Sequence, residues 1–556
     1  MAPSDPDPAH ATAPIPAPPP QLGPTVQETS FTSVSGSGSG ENLTLLPPSP
    51  IRSDHAPPHA PNSSNGNVNP HPNPNGYGTL PSPPQSKPPR SLALDLHRGL
   101  LMAIMALDHN AMSLRSWPHG TAIDGERSAV DVTEWNSPFA FCIRLATHAC
   151  APGFAFLLGV GVVYFGRSRT RLGWTVGITG QMGRHFLVRA AVLTGITVAL
   201  GVIFSLGRIW FLNIVLFALA VDYLLAGWLW MALGGVEKRV ALGLLKTGGT
   251  VRESDDPEEP LLGSRRENIA PDRAIMRAAD VAWHLQNAVL LGLAVVAIWW
   301  NVWLSPTGGW CGVPPRWEPP ASTWFRIWFY SVQTPRIISE FPPLAWLSFT
   351  LLGLLYGRVV LARQWSARAI NLGTAMAGLG FMMVFVSTRV LRVGNLSEGC
   401  LHMPEHTHQN PSSSAAANPY LASVPSFFYL VKYPPDVAFW SFTMAVNFFA
   451  LALLGTVPAR IATSVFRILL VYGTSALFFY LTHIFLLQLL GLGWIALMGH
   501  PVGFQDPFTG GEAIGVDKIW VFVANWALAL AILYPVCRWY GKFKRSKGPD
   551  SLWRFF

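Results

Sequence analysis

Runs of about 20 apolar residues recur along this chain, and each is long enough to cross a hydrocarbon core. Half of its 556 residues are hydrophobic and only 12% are charged. That composition excludes an ordinary soluble domain and indicates an all-α polytopic membrane protein. Ten spans are expected, at roughly 92–114, 143–165, 185–205, 209–233, 284–304, 342–361, 369–388, 436–456, 468–495 and 519–540. The ninth is long enough to be tilted or broken near Gly491. Lys and Arg in the connections set the orientation. With both termini in the cytosol, 27 of the 39 basic residues fall on the cytosolic side and 10 on the other. The formal charge of +9 therefore reports topology, and no nucleic-acid partner is inferred from it.

Residues 1–90 hold 23 of the 48 Pro and none of the 22 Trp. Rich also in Ser, Asn and Gly, they cannot bury a core and are expected to be a disordered tail. The remainder, 91–556, reads as one membrane domain interrupted by a cytosolic loop at 234–283, also expected to be disordered around ESDDPEEPLLG. The 116–142, 305–341 and 389–435 connections fall on the outer side, and the last carries the glycosylation triplet Asn395-Leu-Ser397. The five Cys form no CxxC and no Cys/His group, so no metal site is inferred. Cys311 and Cys400 lie in two of the outer loops. A disulfide between them and a pair of free thiols both fit, since spacing does not establish geometry.

The first span, LALDLHRGLLMAIMALDHNAMSL, is apolar enough to cross a bilayer yet carries Asp95, His97, Arg98, Asp108 and His109. Ionisable groups at membrane depth are costly, so they mark function by default. At about 100° per residue, Asp95, Arg98, Met102, Met105, His109 and Met112 share one helix face. Arg98 and His109 lie roughly 16 Å apart along the axis, at about 1.5 Å per residue. For Arg98, snorkelling to headgroups or pairing with Asp95 is an ordinary alternative. His109 beside Asp108 suits a general base, although adjacent helical residues diverge by about 100° and Asp108 can orient a different group. His148 and His483 come out in the outer halves of their spans. Each is either a satisfied buried histidine or a partner of His109 in one outward polar pocket. Outer Tyr433, Pro434, Pro435 and Asp436 could shape an acceptor site, or act as ordinary interface residues.

RGLLMAIMALDH, THACAPGFAFLLGVG (147–161), KYPPDVAFWSFTMAV (432–446), SALFFYLTHIFLLQLL (475–490) and YPVCRWYGKFKRSKGPDSLWRFF (534–556) follow one another in the chain. In that order they resemble the catalytic-domain family of heparan-alpha-glucosaminide N-acetyltransferase, especially its microbial branch. The resemblance covers about 90–556, with the 234–283 loop outside it. More distantly the chain resembles the membrane O-acyltransferases of bacterial polysaccharides, whose first span carries an Arg, ten residues and a His. Arg98 and His109 match that spacing. The resemblance implies an enzyme that moves an acetyl group from cytosolic acetyl-CoA to an amino sugar or other glycan on the far side. Arg98 would then hold an anionic CoA group, the acyl-pantetheine arm would lie along the Met-lined face, and His109 would act as base or acyl carrier. In the animal heparan enzyme the catalytic His lies in the loop after the first span, and an Asn replaces the intramembrane one. That points to His119 here as the competing residue. Expected partners are the bilayer, acetyl-CoA and the acceptor, with a homodimer compatible. The membrane would be a vacuole- or lysosome-like endomembrane or the plasma membrane. The alternative function is a transporter that uses buried His and Asp as a proton or substrate path.

Overall fold

The computed structural model describes residues 92–118, 120–121, 126–247, 269–401, 418–505 and 511–548, all within one unit. The 1–90 tail and His119 lie outside the described residues. Nine helices among those described are long and apolar enough to cross a membrane. They correspond to every expected span except the first. Leu92–Leu114 (α1) is a 23-residue helix, but Asp95, Arg98, Asp108, His109 and Asn110 make it too polar to join the nine.

Its surroundings explain how such a helix is tolerated. Pro138–Thr147 (α2) and Cys150–Arg171 (α3) together form the second span. Gln181–Phe204 (α4), Leu216–Thr247 (α5) and Ile269–Trp303 (α6) follow, then Thr323–Phe329 (α7). Pro343–Ala362 (α8) and Ala367–Leu391 (α9) precede the short Val424–Phe427 (α10) and Val437–Gly455 (α11). The chain ends with Ala459–Ser464 (α12), Arg467–Thr474 (α13), Ala476–Met498 (α14) and Ile519–Ser546 (α15). Helix α1 packs against α2, α3, α11, α13, α14 and α15. Leu101 enters a core shared with α3, α5, α6, α8 and α11, while Met102, Met105 and Ala106 enter a second one with α4, α14 and α15. Its polar groups therefore meet protein rather than lipid, the condition under which they are affordable.

Close helix crossings depend on small residues. A Cβ on Gly99 would collide with the Leu469 carbonyl, and one on Gly473 with that of Asp95, so α1 and α13 cross backbone to backbone. Gly491, near which the ninth span could be tilted or broken, is helical. A Cβ there would sit 2.6 Å from the Ser113 carbonyl, so this glycine admits α1. The break occurs at Ser475, whose φ of −120° and ψ of 34° separate α13 from α14. A second correction concerns the 234–283 loop expected to be disordered. Helices α5 and α6 extend into it to Thr247 and from Ile269, so only 248–268 lie outside the described residues.

The three connections assigned to one side by charge pack together. Phe211–Asn213 (β1) pairs in parallel with Ile337–Ser339 (β3), which pairs antiparallel with Val332–Gln333 (β2). The Val132 amide donates to the Cys400 carbonyl at 2.9 Å, and Arg127 pairs with Glu340 at 3.1 Å. Cys311 and Cys400 are joined by a disulfide, which settles the alternative left open above. Asp131 lies near them, but the two sulfurs are already bonded to each other. Cys142 is exposed, whereas Cys150 and Cys537 are buried. An apolar maleimide should therefore label the detergent-solubilised native protein first at Cys142, and Cys311 should follow only after reduction. Peptide mass mapping reads this out, and labelling of Cys311 without reductant would contradict the pairing.

The glycosylation triplet is sequestered. Asn395 is buried, its Oδ1 accepting from Arg389 at 2.8 Å and its Nδ2 donating to the Thr388 carbonyl at 2.9 Å. Asp436 is also structural. Its carboxylate caps α11 at the Phe439 amide (2.7 Å) and accepts from the Leu396 amide (3.1 Å).

Candidate functional site

Of the two histidines weighed as partners of His109, one lies against it. His109 Nδ1 lies 2.7 Å from His483 Nε2, and the two rings meet edge to edge, nearly coplanar, with centroids 4.9 Å apart. On the other edge of His483, Nδ1 lies 3.0 Å from the Phe479 carbonyl, one turn earlier on α14. A carbonyl only accepts, so His483 Nδ1 must carry a proton. A neutral His483 then presents a lone pair at Nε2 and accepts from His109 Nδ1–H. That leaves the lone pair of His109 on Nε2, which has no hydrogen-bond partner among the described residues. Proton positions follow here from the bonding pattern. The result is a basic nitrogen with its tautomer fixed by a two-step relay from a backbone carbonyl. His109 is half-buried and His483 fully buried.

Asp108 points elsewhere, as its position one residue along the helix requires. It accepts from Arg144 Nη1 at 3.2 Å and from Thr147 Oγ1 at 3.4 Å. Arg144 also binds both oxygens of Glu126 through Nε and Nη2, in the forked geometry that guanidinium favours. His148 Nε2 approaches Glu126 Oε1 at 2.6 Å. The three histidines therefore do not share one contact set. His109 joins His483, whereas His148 joins Glu126, and Asp108–Arg144 bridges the two groups. Burial alone would raise the Glu126 carboxyl, but Arg144 and His148 more than reverse this and hold it well below the usual range. Lys432, buried nearby, lies over the Phe341 and Tyr433 rings at 5.5 and 5.2 Å. Its burial disfavours the ammonium, yet Tyr433, Asp108 and Glu126 outweigh that and raise it.

At the other end of α1, Arg98 Nη1 donates to Asp95 at 3.0 Å and to the Gly473 carbonyl at 3.3 Å. The ordinary pairing weighed for it is thus realised, with 29% of the side chain still exposed. Met102 and Met105 are buried in the core and only Met112 is exposed. The Met face is packed rather than an open path, which corrects the expectation that an extended arm lies along it. His97 is likewise buried, its Nε2 3.0 Å from Asn447 Oδ1. Asn447 Nδ2 donates to the Ala149 carbonyl at 3.0 Å, tying α1, α3 and α11 together.

Sequence reasoning missed Arg144 and Glu126. An arginine inside a span demands an acid, so Arg144 was the available signal. Its acid sits 18 residues upstream in a connection, where no periodicity marks it. No family model matches the chain, and no curated protein matches it.

Proposed function

We propose that this multi-pass membrane protein is an acetyltransferase. It moves the acetyl group of acetyl-CoA, bound on the cytosolic side, to the amine or hydroxyl of a glycan acceptor on the other. On this reading α1 is a tenth span, enclosed by the nine apolar ones, and both termini are cytosolic. The observation that carries the proposal is the relay from the Phe479 carbonyl through His483 to His109. It gives a helix otherwise too polar for a bilayer a base with one oriented lone pair. His109 Nε2 takes the proton of the acceptor N–H or O–H as that atom attacks the thioester carbonyl. The C–S bond then breaks, and the proton is delivered to the departing CoA thiolate. Arg98 keeps an exposed edge for an anionic CoA group at the opposite end, and the acyl arm reaches His109 by a route other than the packed Met face. The resemblance of the five motifs supplies the substrate class. Endomembrane and plasma membrane both suit the chain.

The test is acetyl-CoA consumption by the purified protein with amino-sugar acceptors. Turnover that His109→Ala lowers by about two to four orders of magnitude is expected. Absence of turnover, together with acceptor-independent proton flux in liposomes, would favour the transporter reading.

A further inference from the structure

The relay supplies a base, but acyl transfer also places negative charge on the thioester carbonyl oxygen, which a base does not meet. One cation beside the relay is unspent. Arg144 is matched by Glu126 and by Asp108. Lys432 has no carboxylate within ion-pair distance among the described residues, although it is only 8% exposed. The Phe341 and Tyr433 rings, with centroids 5.5 and 5.2 Å from its Nζ, hold the ammonium against their faces. Its amide donates to the Glu126 carbonyl at 3.0 Å. The Glu126 carboxylate binds Arg144, which in turn reaches Asp108, the neighbour of His109. The Lys432 backbone is therefore tied to the cluster next to the relay, and its charge acts on both His109 and His148.

A buried ammonium without a carboxylate against it keeps N–H donors for something else. Donors held in place before the reaction, where charge will develop, stabilise a transition state strongly because nothing must reorganise. We propose that Lys432 is the oxyanion donor of the acetyl transfer, a role that rests on the proposed function. As the acceptor nitrogen or oxygen attacks the thioester carbon, the carbonyl π pair moves onto oxygen, and a Lys432 N–H donates to it. When that pair returns, the C–S bond breaks and sulfur keeps its electrons. The proton taken up by His109 then passes to the thiolate, while Lys432 retains its own protons throughout. Arg144 is the weaker choice for this task, since Glu126 and Asp108 already engage its guanidinium.

The experiment measures initial rates of acetyl transfer to an amino sugar by the full chain in lipid nanodiscs, with acetyl-CoA varied. Lys432→Met keeps the apolar stem and removes the charge. Its kcat should fall by about 10²–10³, the loss seen when one oxyanion donor is removed. Its KM for acetyl-CoA should stay within about threefold, because the bond is made in the transition state and not in the ground state. Lys432→Arg, which retains charge and donors, should recover at least about tenfold of the loss, and a packing defect would not be rescued in this way. If Lys432→Met does not fold, Lys432→Gln beside Lys432→Arg decides the matter. A folded neutral variant with native kcat, a loss confined to KM, or equal losses in the neutral and Arg variants would overturn the proposal. Turnover that needs His109 but survives Lys432→Met removes the lysine and leaves the proposed function standing. Absence of turnover in the native chain removes both.

Discussion

His109→Ala should lower acetyl transfer by about two to four orders of magnitude, the range that a positioned acid–base group contributes. His483→Ala should cost about ten- to a hundredfold, although His483 touches no reacting atom on this account. Its function is to accept the His109 Nδ1–H and so leave Nε2 as the basic nitrogen. The double variant separates this from a packing defect. With the base gone, the second substitution has nothing left to orient, so His109→Ala/His483→Ala should be no worse than His109→Ala alone. In His483→Ala the pH profile of kcat/KM should also change shape, which a merely structural role would not produce. Additive losses with an unchanged profile would remove the relay from the mechanism.

The second large effect concerns stability. Glu126 satisfies Arg144 and His148 in a nearly buried cluster. Deleting one partner of a buried ion pair costs roughly 3–5 kcal/mol, and removing Glu126, which leaves Arg144 its Asp108 contact, should cost somewhat less. Glu126→Leu should therefore lower the apparent Tm clearly, and Glu126→Leu/Arg144→Leu should recover part of the loss. The pH dependence has a defined sign. Because the folded state holds Glu126 below its ordinary value of 4.5, its stabilisation is complete above that value. It is then lost as the pH falls toward the depressed one. Thermal unfolding of the native protein should thus become acid-sensitive below about pH 4.5, and less so in Glu126→Gln. Equal acid sensitivity in both would show that other carboxylates carry it.

The spans were legible because hydropathy is a local property, and so was the exceptional polarity of α1. The pairing of His109 with a later histidine was legible as an option, since both fall in corresponding halves of their spans. Four features were hidden because each depends on a distant neighbour. Gly491 looked like a breaker, but it lets the Ser113 backbone approach. Ser475 carries no breaker signal, yet it divides the ninth span. Residues 234–247 and 269–283 read as loop, although α5 and α6 continue through them. Glu126 was hidden for the same reason, since a loop carboxylate shows its role only when the fold brings it to Arg144.

Sidedness tests the central claim most directly. The protein is reconstituted in liposomes that enclose an amino-sugar acceptor, labelled acetyl-CoA is added outside, and the chain orientation is scored by protease access. Labelled, acetylated sugar is expected inside vesicles whose cytosolic face points outward, and at least a hundredfold less in His109→Ala vesicles. Label confined to the outside, or equal label inside with His109→Ala, would contradict that claim.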